Sequence, residues 1–272
     1  MGSKILAIVD QDYPAPNLQN VPAWFEEWEQ ILSRFRIDSE LSRLNARAGL
    51  PLDVSSELWE VHKAALEAHL LTGGLVDPLI LQDVLQAGYD RSFEQMSQSP
   101  LEDVRLPWME PGTGVQLAAA RPAPGSLMVD PERRRLRVPE GAGLDYGGIA
   151  KGWAANEAMR RLSAAGPALV SAGGDIAVSG PKSDGQPWAI TVEDPFHFGG
   201  FVETLYVTAG GVATSGRDHR QWVRPGGPMH HVIDPRTGLP AQTDIVTATV
   251  VAGTAVQAEA FAKAVMILGS QT

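Results

Sequence analysis

The sequence predicts an α+β fold, a largely antiparallel sheet with flanking helices in two intimate halves. Two observations point there. From Ala168 onward, short strand candidates follow one another through Gly-rich turns, so neighbours in sequence pair with each other. Helical runs flank them, before residue 87 and at the C-terminal end. A single domain over residues 1–272 is expected, with an insertion or subdomain suggested at about 97–126, where Pro100, Pro107, Pro111, Pro122 and Pro124 crowd together.

In order along the chain, Asn20 and Pro22 open a capped helix that carries an apolar period through Phe35. Ser55 or Ser56 starts a second helix with Leu58, Val61, Ala65, Leu66 and Leu70 on its apolar face, stopped by Gly73-Gly74. A short helical piece follows at Leu79–Gln86. Leu127–Val129 and Leu136–Val138 form a hairpin around Asp130-Pro131. The loop Asp145-Tyr146-Gly147-Gly148 feeds a helix over 149–164. Strands are expected at 168–170, 176–178, 188–192, 204–208, 230–233 and 245–251, and a last helix over 255–268.

Composition excludes several functions. No cysteine is present, so disulfides, thiolate catalysis and Cys-ligated metal sites are ruled out. A formal net charge of −10 repels nucleic acid, so no nucleic-acid partner is expected. The dense basic run Arg133, Arg134, Arg135 and Arg137 reads as a solvated turn or edge strand. No stretch approaches a membrane-spanning length, and no signal peptide or lipid-anchor cysteine is visible. A cytoplasmic protein without a membrane segment is the expectation.

Four constellations could carry chemistry. In Asp145-Tyr-Gly-Gly-Ile-Ala-Lys-Gly152, the Gly147-Gly148 pair lets backbone approach a ligand. The helix start after it offers N–H groups to a phosphate, and Lys151 adds a charge. The plain alternative is a Gly-rich turn with a surface lysine. In Ser171-Ala-Gly-Gly-Asp-Ile176, Gly173-Gly174 turns the chain and Asp175 can hold a ribose hydroxyl, or simply cap the turn. Ala213-Thr-Ser-Gly-Arg217 and His230-His-Val-Ile-Asp-Pro-Arg-Thr-Gly238 bring Ser215, Arg217, His231 and Asp234 close in sequence. His231 can accept a proton, with Asp234 orienting it or holding the turn. No G-x-S-x-G elbow supports a serine hydrolase. Glu259 and Lys263, four apart on the last helix, are either a surface ion pair or, given Ala258, Ala260, Phe261 and Ala262 around them, a buried polar site.

Together these blocks resemble the ApbE family, the FAD:protein FMN transferases. Ser33 to Asn45 is similar to the family's N-terminal signature and Thr72 to Pro78 to its second block. Asp145 to Gly152, Ala172 to Asp175, Ala213 to Gly216 and His231 to Gly238 resemble the rest, in the family's order. The resemblance implies an ApbE/T-fold-like architecture and FAD as substrate. It implies transfer of FMN to a threonine or serine of an acceptor protein, through a phosphoester, with release of AMP. It makes His231, Lys151 and Asp234 the catalytic candidates. FAD contacts are implied at Met1, Phe35, Asp145, Gly147, Gly148, Ala150, Lys151, Gly173, Gly174, Asp175, Ser215, Arg217, His231, Glu259 and Lys263. Phe35 stands where the family commonly has a tyrosine against the flavin. Magnesium is implied at the Ala150 carbonyl and at an Asp and Thr of the last helix. Those two positions read Glu259 and Lys263, and an ammonium there can take the ion's space. The alternatives are an FAD pyrophosphatase using water, or a non-catalytic FAD-binding protein.

Overall fold

The computed structural model describes residues 3–11, 17–97, 127–197, 199–218, 220–224 and 227–270. Met1 and residues 98–126 of the suggested insertion lie outside them.

The first half begins with β1 (Ile5–Val9) and α1 (Val21–Leu32). Pro22 sits in the first turn of α1, but Asn20 provides no side-chain cap and ends a 3-10 turn instead. Val21, Phe25, Trp28 and Leu32 form the buried stripe of α1. The helix stops at Leu32, short of the expected Phe35. Next comes α2 (Glu40–Ala46), which the sequence reading did not anticipate. Ser39 caps it, its Oγ accepting the Ser42 N–H at 2.9 Å. Seven residues show too little periodicity to be read as a helix. After β2 (Leu52–Asp53), α3 (Ser56–Leu71) starts at Ser55, whose Oγ accepts the Leu58 N–H at 3.2 Å. It ends before Gly73 and Gly74, both at positive φ. Leu70, expected on its apolar face, is exposed, whereas His62 is fully buried. Two short helices follow, α4 (Leu81–Gln86) and α5 (Phe93–Ser97).

The second half opens with the expected hairpin, β3 (Met128–Asp130) and β4 (Arg135–Arg137), and β2 pairs with β4 as a third strand. Arg135 on β4 pairs with Asp53 at 2.6 Å, an exposed contact. Then come α6 (Ala150–Leu162), β5 (Ala168–Ala172), β6 (Asp175–Val178), β7 (Trp188–Glu193), β8 (Phe201–Val207) and β9 (Gly210–Gly216). The chain closes with β10 (Gln221–Arg224), β11 (Gly227–His230), β12 (Ile233–Asp234), β13 (Leu239–Pro240), β14 (Thr247–Ala252) and α7 (Ala255–Leu268).

The main sheet runs β1-β5-β6-β9-β14, antiparallel throughout. Its strand β9 escaped the sequence reading because Gly-Gly-Val-Ala-Thr-Ser-Gly has little strand propensity. Its small residues answer a packing need. A Cβ on Gly211 would lie 2.2 Å from the Ala255 nitrogen, so α7 can sit on β9 only over glycine. Gly152 does the same between helices: a Cβ there would come within 2.7 Å of the Ala255 carbonyl oxygen. α6 packs on β5 and β6, and α7 on β9 and β14. One hydrophobic cluster runs from Val21 and Trp28 of α1 to Ala155 of α6 and Ala260 of α7. The expected strand over 230–233 is broken. β11 ends at His230 and β12 starts at Ile233, leaving His231 and Val232 outside regular structure.

Candidate active site

A cleft opens where the chain after α1, residues 75–78, the loop before α6, residues 231–233 and the middle of α7 converge. Asp145 holds the loop. Its Oδ1 accepts the Gly147 N–H at 2.6 Å, and its Oδ2 lies 2.9 Å from Arg34 Nε. A Cβ on Gly147 would fall 2.9 Å from that same Oδ1, so the close loop needs glycine. Gly148 faces the Lys263 stem, which a Cβ would touch at an ordinary 3.6 Å.

Three of the amides at the helix start already have acceptors within the fold. Tyr146 O accepts the Ile149 and Ala150 N–H groups at 2.9 and 2.8 Å, and Glu259 Oε2 accepts the Gly152 N–H at 2.8 Å. Two side-chain cations, Lys151 and Lys263, also line this cleft.

Those cations sit in a buried quartet. Lys151 Nζ contacts Asp175 Oδ2 and lies 3.2 Å from Glu259 Oε1. Lys263 Nζ lies 3.0 Å from the same Oε1. The two carboxylate side chains are 1 % and 0 % exposed, the two lysines 19 % and 17 %, so the ammoniums stand between the carboxylates and the cleft. Burial lowers Lys151 to about 8, against the opposing pull of Glu259. Burial alone would raise Glu259. Lys151, Lys263 and the Gly152 N–H outweigh it and hold the carboxyl below its ordinary value. The surface-pair reading of Glu259 and Lys263 is thereby overturned: α7 turns this face inward, against α6 and β6.

His231 lines the cleft, and its buried Nδ1 has no hydrogen-bond partner among the described residues. Burial, then Arg220, Lys263 and Lys151, push it well below the ordinary histidine value, so the ring is neutral. His230 is tied elsewhere, its Nε2–H donating to the Ala241 carbonyl at 3.0 Å. Of the two roles weighed for Asp234, its hydrogen bonds match holding the turn. Its Oδ1 accepts the Arg236 N–H at 2.8 Å and its Oδ2 lies 2.9 Å from Arg236 Nη2, with no hydrogen bond to His231. Gly173 and Gly174, at positive φ, turn β5 into β6 beside the Lys151 stem. Ser215 is buried on β9 and Arg217 Nε donates to the Ile245 carbonyl at 3.0 Å; neither borders the cleft.

The cleft lining also holds aromatic rings, Phe35 and Tyr89 among them. Phe35 meets Tyr89 edge-on at 5.5 Å, and Tyr89 stacks on Trp222 at 5.4 Å. The Arg34 guanidinium lies 4.0 Å from the Phe35 ring centre and donates to the Tyr89 carbonyl at 2.6 Å. Arg34, Tyr89 and the cleft residue Arg220 escaped the sequence reading. Arg34 stands inside the quoted Ser33–Asn45 block. Tyr89 and Arg220 carry no motif signal, and the fold alone brings them there.

The ApbE family model matches residues 1–272. The chain belongs to the ApbE family. It is 31 % identical to an FAD:protein FMN transferase of Treponema pallidum over 93 % of this chain and 71 % of that protein. It is 28 % identical to one of Salmonella typhimurium over 90 % and 69 %. Among solved structures, the ApbE protein of Thermotoga maritima superposes with TM-score 0.79 at 25 % identity, over 98 % of this chain and 84 % of that one. The flavin transferase ApbE of Vibrio cholerae gives 0.73 at 26 %, over 100 % and 85 %. The α+β fold is the one these relatives share.

The magnesium site implied by the ApbE resemblance is not matched by the donors present. Ala150 borders the cleft and Glu259 is close by, but both Glu259 oxygens are engaged and two ammoniums lie within 3.2 Å of one of them. A divalent ion at that oxygen would meet both positive charges at contact range. The described residues hold no cluster of three acidic or histidine side chains suited to a metal.

Proposed function

We propose that this chain transfers FMN from FAD to a threonine or serine hydroxyl of an acceptor protein and releases AMP. The carrying observation is one cleft lined both by the cations Lys151, Lys263 and Arg220 and by the aromatic rings of Phe35 and Tyr89, which suits a diphosphate joined to an aromatic ring system. Its relatives' names point to the same reaction.

In this reading the ring stacks on Phe35 and the lysines neutralise the diphosphate. The acceptor oxygen attacks the phosphorus on the FMN side. A new P–O bond forms there, the bond to the bridging oxygen breaks, and AMP leaves with that oxygen. Neutral His231 takes the proton of the attacking hydroxyl. The bound phosphates raise its basicity by offsetting the cations that depress it.

The test is incubation with FAD, with and without a threonine-bearing acceptor protein, following AMP and flavin-labelled acceptor. Acceptor-dependent AMP and labelled acceptor are expected. AMP and free FMN without acceptor would make the chain an FAD pyrophosphatase. FAD retained with neither product would make it a binding protein. No helix among the described residues is long and apolar enough to cross a membrane.

A further inference from the structure

Glu259 is a fully enclosed charge, and its surroundings differ from those of a metal ligand. It is fully buried, its Oε1 is shared by Lys151 and Lys263 at 3.2 and 3.0 Å, and its Oε2 accepts the Gly152 N–H. Asp175, also buried, holds Lys151 from the other side. The four charges cancel in sign, yet they are not symmetrically placed. The carboxylates are sealed behind and the ammoniums reach the cleft.

An ammonium carries three N–H donors. Lys151 uses two on Asp175 and Glu259, and Lys263 uses one on Glu259. The remaining donors are available to an anion on the open side. Both lysines border the cleft, where an anion would meet them.

We infer that the Lys151–Glu259–Lys263 cluster is a built-in cation that takes the role of a divalent ion, so that this protein binds the FAD diphosphate without metal. This rests on the FAD reading of the cleft. The physical logic is preorganisation. Glu259 and Asp175 hold the ammoniums fixed before the ligand arrives, so little is lost in ordering them. The same arrangement excludes a divalent ion from Glu259, because two ammoniums already lie on its Oε1 and the Gly152 N–H on its Oε2.

The experiment has two arms on the intact protein. In the first, FAD affinity is measured by calorimetry in EDTA and in millimolar magnesium. Equal affinity in both is expected. For Lys263→Thr, FAD affinity in EDTA should fall roughly ten- to hundred-fold, the size of one charge-assisted hydrogen bond. Magnesium should recover part of that loss, most clearly when Glu259→Asp is added. Magnesium-dependent binding by the unaltered protein overturns the inference. In the second arm, manganese alone is titrated into the ligand-free proteins and followed by its paramagnetic signal. The unaltered protein should bind none at this site, and Glu259→Asp/Lys263→Thr should gain a site. A manganese site in the unaltered protein that Glu259→Gln abolishes also overturns the inference. If FAD binds in neither buffer, the FAD reading fails, and the manganese arm still decides whether the cluster excludes a divalent ion.

Discussion

Glu259, on the last helix, accepts the N–H of Gly152 in the first turn of α6 at 2.8 Å. A buried carboxylate thus caps a neighbouring helix, at the end where the helix dipole favours negative charge. The contact exists because Gly152 has no side chain, which lets α6 approach Ala255 at the start of α7. Charge and packing depend on each other here: without the close approach the carboxylate would reach neither the amide nor Lys151.

Removing the charge of Glu259 should therefore cost stability. Glu259→Gln leaves Lys263 without its anion, and breaking such a buried pair typically costs about 3–5 kcal/mol. Lys263 keeps some contact with water, so about 3 kcal/mol is expected, or a melting point roughly 6–12 °C lower. Gly152→Ala should cost roughly 1–3 kcal/mol by overpacking against the Ala255 backbone. Urea midpoints of the three proteins check both. An unchanged midpoint for Glu259→Gln would show that the ammoniums do not depend on it.

His62 makes stability pH-dependent. It is fully buried on α3, its Nδ1 lies 3.0 Å from the Tyr146 hydroxyl, and its Nε2 has no partner among the described residues. Burial lowers its value from 6.5 to about 4. The unfolded chain therefore takes up this proton first as pH falls. The contribution is fully present above about pH 6.5 and is lost down to about pH 4, a span worth roughly 3 kcal/mol. His62→Gln removes this titration. The difference in unfolding free energy between the two proteins should change steadily across that window, and a constant difference would refute the assignment.

The cationic and aromatic residues of the cleft should separate by ligand. Phe35→Ala should weaken FAD and riboflavin alike, by roughly 2- to 10-fold, the worth of an aromatic contact. Lys151→Met should weaken FAD roughly tenfold or more and leave riboflavin unchanged, since riboflavin has no phosphate. Calorimetric titration of both variants with both ligands checks this. Equal loss of riboflavin in Lys151→Met would place the ring, not the phosphates, beside that lysine.

What was legible in the sequence follows physical scale. The last helix is read over its full 255–268 span because fourteen mostly apolar residues run without a Gly or Pro to interrupt them. The Ser55 cap and the Gly73-Gly74 stop are local chemistry and are equally readable. β9 was not, because its glycines answer to α7 packed above it. The site divides the same way. Lys151, Asp175, His231, Glu259 and Lys263 stood out through their motifs and context. Their union in one cluster, the loss of the Gly152 amide to Glu259 and the arrival of Tyr89 and Arg220 are long-range facts of packing. Asp234 shows the reverse case. Its neighbour Arg236, two residues on, accounts for its hydrogen bonds and leaves nothing for His231.

The adjacent histidines offer the sharpest functional contrast. His231 borders the cleft and is neutral, and His230 is not part of the cleft lining. His230 gives its Nε2–H to the Ala241 carbonyl. Only the first is placed to take a proton from an attacking hydroxyl. His231→Ala should bind FAD with near-normal affinity and lose roughly 10²- to 10⁴-fold in the rate of transfer, the usual worth of a general base. His230→Ala loses one hydrogen bond to backbone, about 1 kcal/mol of stability, and should keep its rate within a few-fold. Single-turnover AMP release at saturating FAD and acceptor separates the chemical step from binding. An active His231→Ala beside an inactive His230→Ala would mean that the ring facing the phosphates is the other one, and the proton would have to leave by the Ala241 side.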